Sequence, residues 1–390
     1  MKKSSNKAVR IPLFDLKLSR ETKAQVNAVL RSGWLNSGPN VAALEKKLAQ
    51  CSGVRNVAVV NSATSALQLT LEAIGATGGT QVITSPFTFV ATASAILRAG
   101  AYPVFADIDP NSLNLDPDEV ARKLTDKTAA IIPVDVAGCP SNYKKLRKIC
   151  ESKALPLISD ASHSFGARVG TKSVAQLADA AIHSFQATKN LTTGDGGAIV
   201  SRHKELVERV RLLSRQGMTA TAYDRRISGG VSYDVVALGT KANLTDLQAA
   251  IGLGELERFD ANQQKRAKLA DRYTSNLAEL HELVETPHVE PKTTPAWHLY
   301  ILRLHLSNLR TNRDQLVKKL AGLGIECGIH YRPLFEMSFY REMGLSAQHF
   351  PNASYAGTRV ISLPLYPTLK TSQVDYISEC LTGLILKARR

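Results

Sequence analysis

Residues 180–201 read AAIHSFQATKNLTTGDGGAIVS, and this stretch decides the fold. Two short apolar runs, Ala180 to Phe185 and Gly197 to Val200, flank a polar loop that holds Gln186, Lys189, Asn190, Thr192, Thr193, Gly194, Asp195 and Gly196. Apolar runs bounded by Gly and Thr predict two strands meeting at a turn. The glycines let such a turn adopt positive φ or pass close to a ligand. Lys189 is thus a single amine on a stiff turn. A lone lysine in a Gly/Thr loop is ordinarily a solvated surface group. Desolvation or a cationic neighbour would instead lower its pKa and make it a Schiff-base nucleophile. The surrounding chain decides between the two.

Upstream, Val57 to Val60 reads as a buried strand, followed at once by Asn61-Ser62-Ala63-Thr64-Ser65 and the helical pattern Ala66 to Ile74. Strand, hydroxyl-rich turn and helix make a ready anion site, because N–H groups and the positive helix end converge there. Plain capping by Ser62 or Thr64 explains the same pattern. Strands then follow at Val82 to Thr84, Pro103 to Asp107, Ala129 to Val136 and Leu155 to Ser159. They alternate with helical stretches opened by Phe87 to Thr92, at Pro117 to Leu124 and at Asn142 to Ser152. Such alternation predicts a mainly parallel, doubly wound α/β sheet. Ligands bind beyond the carboxyl ends of the strands in such sheets. That rule selects Ser62, Ala63, Thr64, Phe89, Asp160 and Lys189, although Asp160 is also a common type of helix cap.

The C-terminal flank fits a second, smaller unit, while the N-terminal one joins the first. A helix from Arg20 to Arg31, the turn GWLNSGPNV (Gly33 to Val41) and an amphipathic segment from Ala42 to Cys51 precede the first strand. Beyond the lysine loop come a helix from Leu206 to Gln216, a basic segment to Gly239, a helix start capped by Thr245, and helical pattern to about Leu280. The remainder reads strand (His298 to His305), helix (Arg313 to Leu323), strand (Glu326 to His330) and a last helix from Ser372. We therefore expect a large cofactor-binding domain over residues 1–260 and a smaller C-terminal α/β domain over residues 261–390.

Composition narrows the function. The chain has 390 residues, 44% of them hydrophobic, which suffices for two cores. Its five cysteines form no C-x-x-C pair, arguing against a disulfide framework or a metal site and for a reducing compartment. The start, MKKSSNKAVRIP, lacks the apolar centre of a signal peptide, and no run approaches the roughly 20 apolar residues of a membrane span. A cytoplasmic protein without membrane contact is expected. The net charge of +15 is scattered, and the 6% aromatic content is not interleaved with it. That pattern argues against nucleic acid and suits an anionic small substrate or simply a solvated basic surface equally well.

An aspartate beyond one strand, a lysine on a later loop, an aromatic beyond a third strand and a phosphate-ready helix start together suit pyridoxal phosphate. The lysine takes the aldehyde as a Schiff base, and the carboxylate pairs with the pyridinium nitrogen so that the ring serves as an electron sink. Phe89 could stack on the ring. Ser62, Ala63 and Thr64, helped by Ser184, could hold the phosphate.

The run SFQATKNLTTGDGG (Ser184 to Gly197) resembles the lysine motif of the DegT–DnrJ–StrS family of sugar aminotransferases, near S-F-x-x-x-K-N-(L/I)-T-T-G-E-G-G. Further matches run in order along nearly the whole chain: GWLNSGP, NSATSAL, SPFTFVATASAI, YPVFADID, ISDASHSFGA, KANLTDLQAAIG, WHLY, GIHYRPL and SLPLYP. The resemblance implies the aspartate-aminotransferase-like fold (fold type I). Lys189 would be the Schiff-base lysine and proton shuttle, Asp160 would bind the pyridinium nitrogen, and His163 would sit near the ring hydroxyl. Phe89 would stack, while Ala63, Thr64 and Ser184 would bind phosphate. Asn243 would be lent by a neighbouring subunit, implying a homodimer with shared active sites.

The implied reaction takes an amino group from L-glutamate and aminates a keto group on a nucleotide-linked sugar. The turn Leu35-Asn36-Ser37-Gly38-Pro39 resembles the form found in C4 aminotransferases, and it puts Asn36 among the candidate substrate contacts with His298, His330 and Tyr331. Departures from the family pattern are Ala63 for glycine, Asp195 for glutamate, Asp135 where many members have histidine, Thr240 and Ala242 for aromatics, and Ser354 for glutamate. Alternatives are a C3 aminotransferase, a sugar dehydratase of the same fold, and a regulator that binds the cofactor without turnover. Sugar 3-dehydratases of the family carry histidine in place of the lysine, and a regulator needs neither electron sink nor proton shuttle.

Overall fold

The computed structural model describes residues 10–390. The basic start discussed above, residues 1–9, lies outside them. Seven short strands make the main sheet: β1 (Asn56–Val60), β2 (Gln81–Thr84), β3 (Tyr102–Phe105), β4 (Thr128–Ile131), β5 (Ile158–Asp160), β6 (Ala180–Ser184) and β7 (Gly197–Ser201). β6 and β7 are buried along their whole length, which is why they read as continuous apolar runs rather than alternating ones.

The spatial order is β1-β7-β6-β5, continuing through the parallel bridges Ile131↔Leu157 and Val134↔Asp160 to β4-β2-β3. β5 and β6 pair in parallel, as β2 does with β3 and β4. β7 runs against both β1 and β6. The chain returns directly after the lysine loop instead of crossing over by a helix, so one strand of the sheet is reversed. The expected strand at Ala129 to Val136 stops at Ile131, because Pro133 has no N–H to donate to a ladder.

Helices cover both faces. Ala63–Ala73 and Val90–Arg98 bury Leu67, Leu69 and Ile96 against one side. Pro39–Ser52 and Tyr143–Lys153 bury Leu44, Leu48 and Leu146 against the other. Truncating any of these fully buried leucines to alanine should cost about 2–5 kcal/mol. The expected helical region from Lys241 to Leu280 is two helices, Asp246–Leu256 and Phe259–Leu277. The basic segment before it contains a short helix, Ala222–Ser228.

Helix Phe259–Leu277 leads to a second sheet of β8 (Val284–Glu285), β9 (Tyr300–Leu304) and β10 (Val360–Leu363), in order β8-β9-β10 and antiparallel throughout. Tyr273, Tyr300, Leu302, Ile361, Ile377 and Leu381 fill its core under the helix Thr371–Lys387. Glu326 to His330, expected as a strand, forms none; bridges from Ile325 to Ile11 and from Gly328 to Ser362 hold this stretch, with His330 Nδ1 2.8 Å from Ser362 Oγ. A side chain at Gly328 would collide with Leu13 and the His330 ring, and Pro333 soon ends any ladder.

Two carboxylates fix the pieces around the site. Asp246 accepts from the N–H groups of Asn40 (3.1 Å) and Val41 (3.0 Å), capping helix Pro39–Ser52 from a different helix. Asp107, just past β3, accepts from the N–H groups of Asn352 and Ala353 (both 2.9 Å) and caps helix Pro351–Arg359. Each bond satisfies a donor that the helix start leaves without an intrahelical partner.

Candidate active site

A cavity of about 470 Å³ opens beyond the carboxyl ends of β1, β2, β4, β5 and β6. Ser62, Ala63, Thr64, Phe89, Asp160, His163, Ser184, Lys189, His298, His330 and Tyr331 line it together. Asn36 and Asn243 do not. Their side chains bond to each other (3.0 Å), Asn243 Nδ2 also donates to Ser37 Oγ (2.7 Å), and Lys241 Nζ donates to Asn243 Oδ1 (2.5 Å). Asn61 N donates to Ala242 O at 2.7 Å, which keeps this corner beside the end of β1.

Asp160 closes β5 and is 5% exposed. Thr92 Oγ1 donates to its Oδ2 (2.7 Å), while Ser162 donates to its Oδ1 through Oγ (2.6 Å) and backbone N (3.2 Å). A buried carboxylate held by three donors keeps one orientation. Thr92 and Ser162 are absent from the sequence-based set. Thr92 stands three residues past Phe89 at the start of the same helix, a spacing that puts both near one face and could have flagged it.

Lys189 is partly buried, and protein closes around its ammonium group. Burial lowers its pKa from the ordinary 10.5 to about 8, with Asp160 opposing the shift. An amine in that range supplies both a nucleophile and a base near neutral pH. The residue after it anchors the loop: Asn190 Nδ2 donates to Ala296 O (2.5 Å) and Gln263 Oε1 (2.9 Å), and its Oδ1 faces His298 Nδ1 (3.2 Å).

His163, His298 and His330 stand on the cavity wall. Burial, with Lys189 adding to it, holds His163 and His298 well below the usual histidine range and brings His330 to about 4. All three are neutral at pH 7 and serve as hydrogen-bonding groups rather than charges. His163 and His298 pack with ring centroids 4.3 Å apart. His298 is turned toward the cavity by Trp297, which takes a left-handed φ of 47° costing roughly 1–2 kcal/mol. Bonds from Ala296 N to Gly138 O (2.9 Å) and from His298 N to Ala137 O (3.0 Å) hold that conformation.

Three features fit pyridoxal phosphate. The N–H groups of Ala63 and Thr64 begin helix Ala63–Ala73 and have no acceptor within it, while Ser62 Oγ is taken by Ser65 N (3.1 Å). β7 passes this helix start so closely that a Cβ at Gly197 would lie 2.4 Å from Ala63 N. Nδ1 of His163 is buried without a partner, a polar atom waiting for a ligand. Among the described residues no cluster of His, Cys, Asp and Glu could hold a metal ion, and no helix is long and apolar enough to cross a membrane.

A desolvated lysine, a clamped aspartate and a helix start with free N–H groups around one cavity suit a pyridoxal-phosphate enzyme, and kinship gives the reaction class. The chain belongs to the DegT/DnrJ/EryC1/StrS aminotransferase family, whose model matches residues 17–382. It is 36% identical over 371 residues to the spore coat polysaccharide biosynthesis protein SpsC of Bacillus subtilis, covering 94% of this chain and 95% of SpsC. Among solved structures, Spr1654 of Streptococcus pneumoniae in its PMP form superimposes with a TM-score of 0.92 at 30% identity, covering 97% of this chain and all of that one. DesV of S. venezuelae, solved with a ketimine intermediate, gives 0.89 at 31% identity, covering 96% and 98%. These likenesses agree with the fold-type-I architecture described above.

Proposed function

We propose that this chain transfers an amino group from L-glutamate to the C4 keto group of a nucleotide-linked sugar. The observation that carries the reading is one cavity holding Lys189, Asp160 and the free N–H groups of Ala63 and Thr64, walled by neutral histidines suited to sugar hydroxyls. Bound pyridoxal phosphate supplies an electron sink for the carbon that loses or gains a proton. Lys189 would hold it covalently and carry that proton. Asp160 would bind the pyridinium nitrogen, His163 the ring hydroxyl and Phe89 the ring face, and Ser62, Ala63, Thr64 and Ser184 would hold the phosphate. His298, His330 and Tyr331 belong to the sugar side, and Asn36, outside this cavity beside Asn243, would meet a sugar only in a neighbouring subunit's site.

A sugar substrate is supported by SpsC, named for polysaccharide biosynthesis, and by DesI, solved in the presence of its TDP-sugar product. The turn at Leu35 to Pro39 supports C4. A homodimer with shared sites is supported by the exposed apolar run Ile227, Val231, Tyr233, Val235, Val236 and Leu238, where Val231 and Leu238 are 95% exposed. Exposed apolar side chains gathered along one segment suit an interface. Asn243, outside its own chain's cavity, would then complete a neighbour's phosphate site. The proposal includes a cytoplasmic location and a division of the chain after residue 260, where helix Phe259–Leu277 passes from one core to the other.

Incubation with L-glutamate and a 4-keto sugar nucleotide, followed by mass spectrometry, tests the reading. The amino sugar is expected. Turnover of only a 3-keto substrate contradicts C4, and a dehydrated product would replace transamination with the dehydratase. Mixing Lys189→Ala with Asn243→Ala subunits should restore part of the activity if sites are shared. No recovery contradicts the sharing.

A further inference from the structure

Tyr331 reaches the cavity from the segment between Gly328 and Leu334, which is pinned at both ends. Gly328 N and Ser362 N exchange backbone bonds with each other's carbonyls (3.0 and 2.8 Å), and Leu334 N donates to Pro86 O (2.9 Å). Phe87 meets the Tyr331 ring edge-on at 6.1 Å. The phenol oxygen, so fixed, lies 2.9 Å from His163 Nε2, and the two rings are nearly parallel at 5.9 Å. On the other side of the imidazole, Nδ1 is buried without a partner.

Proton placement follows from counting unpaired groups. A neutral His163 carries one N–H. If Nε2 held it, that group would donate to the phenol oxygen, leaving both the Tyr331 O–H and the Nδ1 lone pair without a protein partner. If Tyr331 donates to Nε2 instead, only Nδ1–H is unpaired. Each buried unpaired polar group is costly, so the second arrangement prevails.

We propose that Tyr331 is a positioning residue whose hydroxyl donates to His163 Nε2, holding His163 in the Nδ1–H tautomer and presenting a fixed donor to an anionic oxygen on the cofactor ring. The inference rests on the reading of this cavity as the cofactor site. It gives Tyr331 a task other than sugar contact and ties the donor on β5's loop to a segment seated against β10.

Two-bond ¹H–¹⁵N spectra of apoprotein labelled in its nine histidines report which ring nitrogen carries the proton, with His163→Gln assigning the signal. His163 is expected as Nδ1–H in the natural protein and as a mixture of tautomers in Tyr331→Phe. Finding Nε2–H in the natural protein overturns the proposal without any variant having to fold, and an unchanged tautomer in Tyr331→Phe does the same. In the loaded enzyme, Tyr331→Phe should retain the visible cofactor band and lose about tenfold in kcat, with KM for the amino donor within about twofold. A natural protein that gains no visible band with pyridoxal phosphate would sink the cofactor reading and leave the tautomer result standing, so the two failures are separable.

Discussion

Oδ1 of Asn190 lies 3.2 Å from Nδ1 of His298, so the residue after the cavity lysine is tied to the segment that leads into β9 of the second sheet. Asn190 Nδ2 is committed as donor to Ala296 O and Gln263 Oε1, which fixes the amide orientation and makes Oδ1 the acceptor. His298 therefore donates from Nδ1 and turns an accepting Nε2 to its surroundings. Asn190→Ala should lower stability by about 1–3 kcal/mol and kcat by roughly tenfold while leaving the fold intact. Denaturant melts and steady-state kinetics on the same preparation check both. Unchanged kcat would mean that the loop needs no such anchor.

Lys189 and Asp160 carry the chemistry in this reading. Lys189→Ala should abolish transamination and the visible absorbance of bound cofactor. Asp160→Ala should lose roughly 100-fold in kcat, on the order of one charge-assisted hydrogen bond at the transition state. Full activity in either variant contradicts the assignment.

Gly197 is needed because β7 passes the start of helix Ala63–Ala73 with no room for a side chain. Gly197→Ala should push that helix start away, costing about 1–3 kcal/mol and weakening cofactor affinity roughly tenfold. Titrating apoprotein with pyridoxal phosphate measures it. Gly322→Ala, where nothing stands within 4 Å of an added Cβ, is the neutral control.

The depressed pKa of Lys189 has a stability consequence with a definite sign. Folding lowers it from 10.5 to about 8, so between those values the unfolded chain binds more protons than the folded one. Apoprotein stability at this site therefore rises as pH climbs from about 8 to 10.5, and the penalty of a buried ammonium is fully present below 8. Lys189→Met should stabilise apoprotein at pH 7, and the advantage should fade by pH 10.5. Urea midpoints at the two pH values decide it; an equal advantage at both contradicts the depressed pKa.

Much of the architecture was legible because burial leaves strong traces. The runs at Val57 to Val60 and Ala180 to Ser184 are buried strands, and the strand-end rule gathered Ser62, Asp160 and Lys189 around one space. What the sequence hid is non-local. No periodicity foretells that Ser162 turns back onto Asp160, or that Tyr331 meets a histidine 168 positions earlier. Strand ends were overrun where a proline withholds its donor, as at Pro133. The left-handed backbone of Trp297 has no composition signal at all, since bulky residues rarely adopt it.

The most direct measurement is the visible spectrum of the loaded protein through two half-reactions. L-Glutamate should bleach the band of cofactor bound at Lys189, and a 4-keto sugar nucleotide should then restore it. A spectrum that ignores L-glutamate, or one restored by a 3-keto sugar nucleotide and not by its 4-keto counterpart, would contradict amino transfer from glutamate to C4.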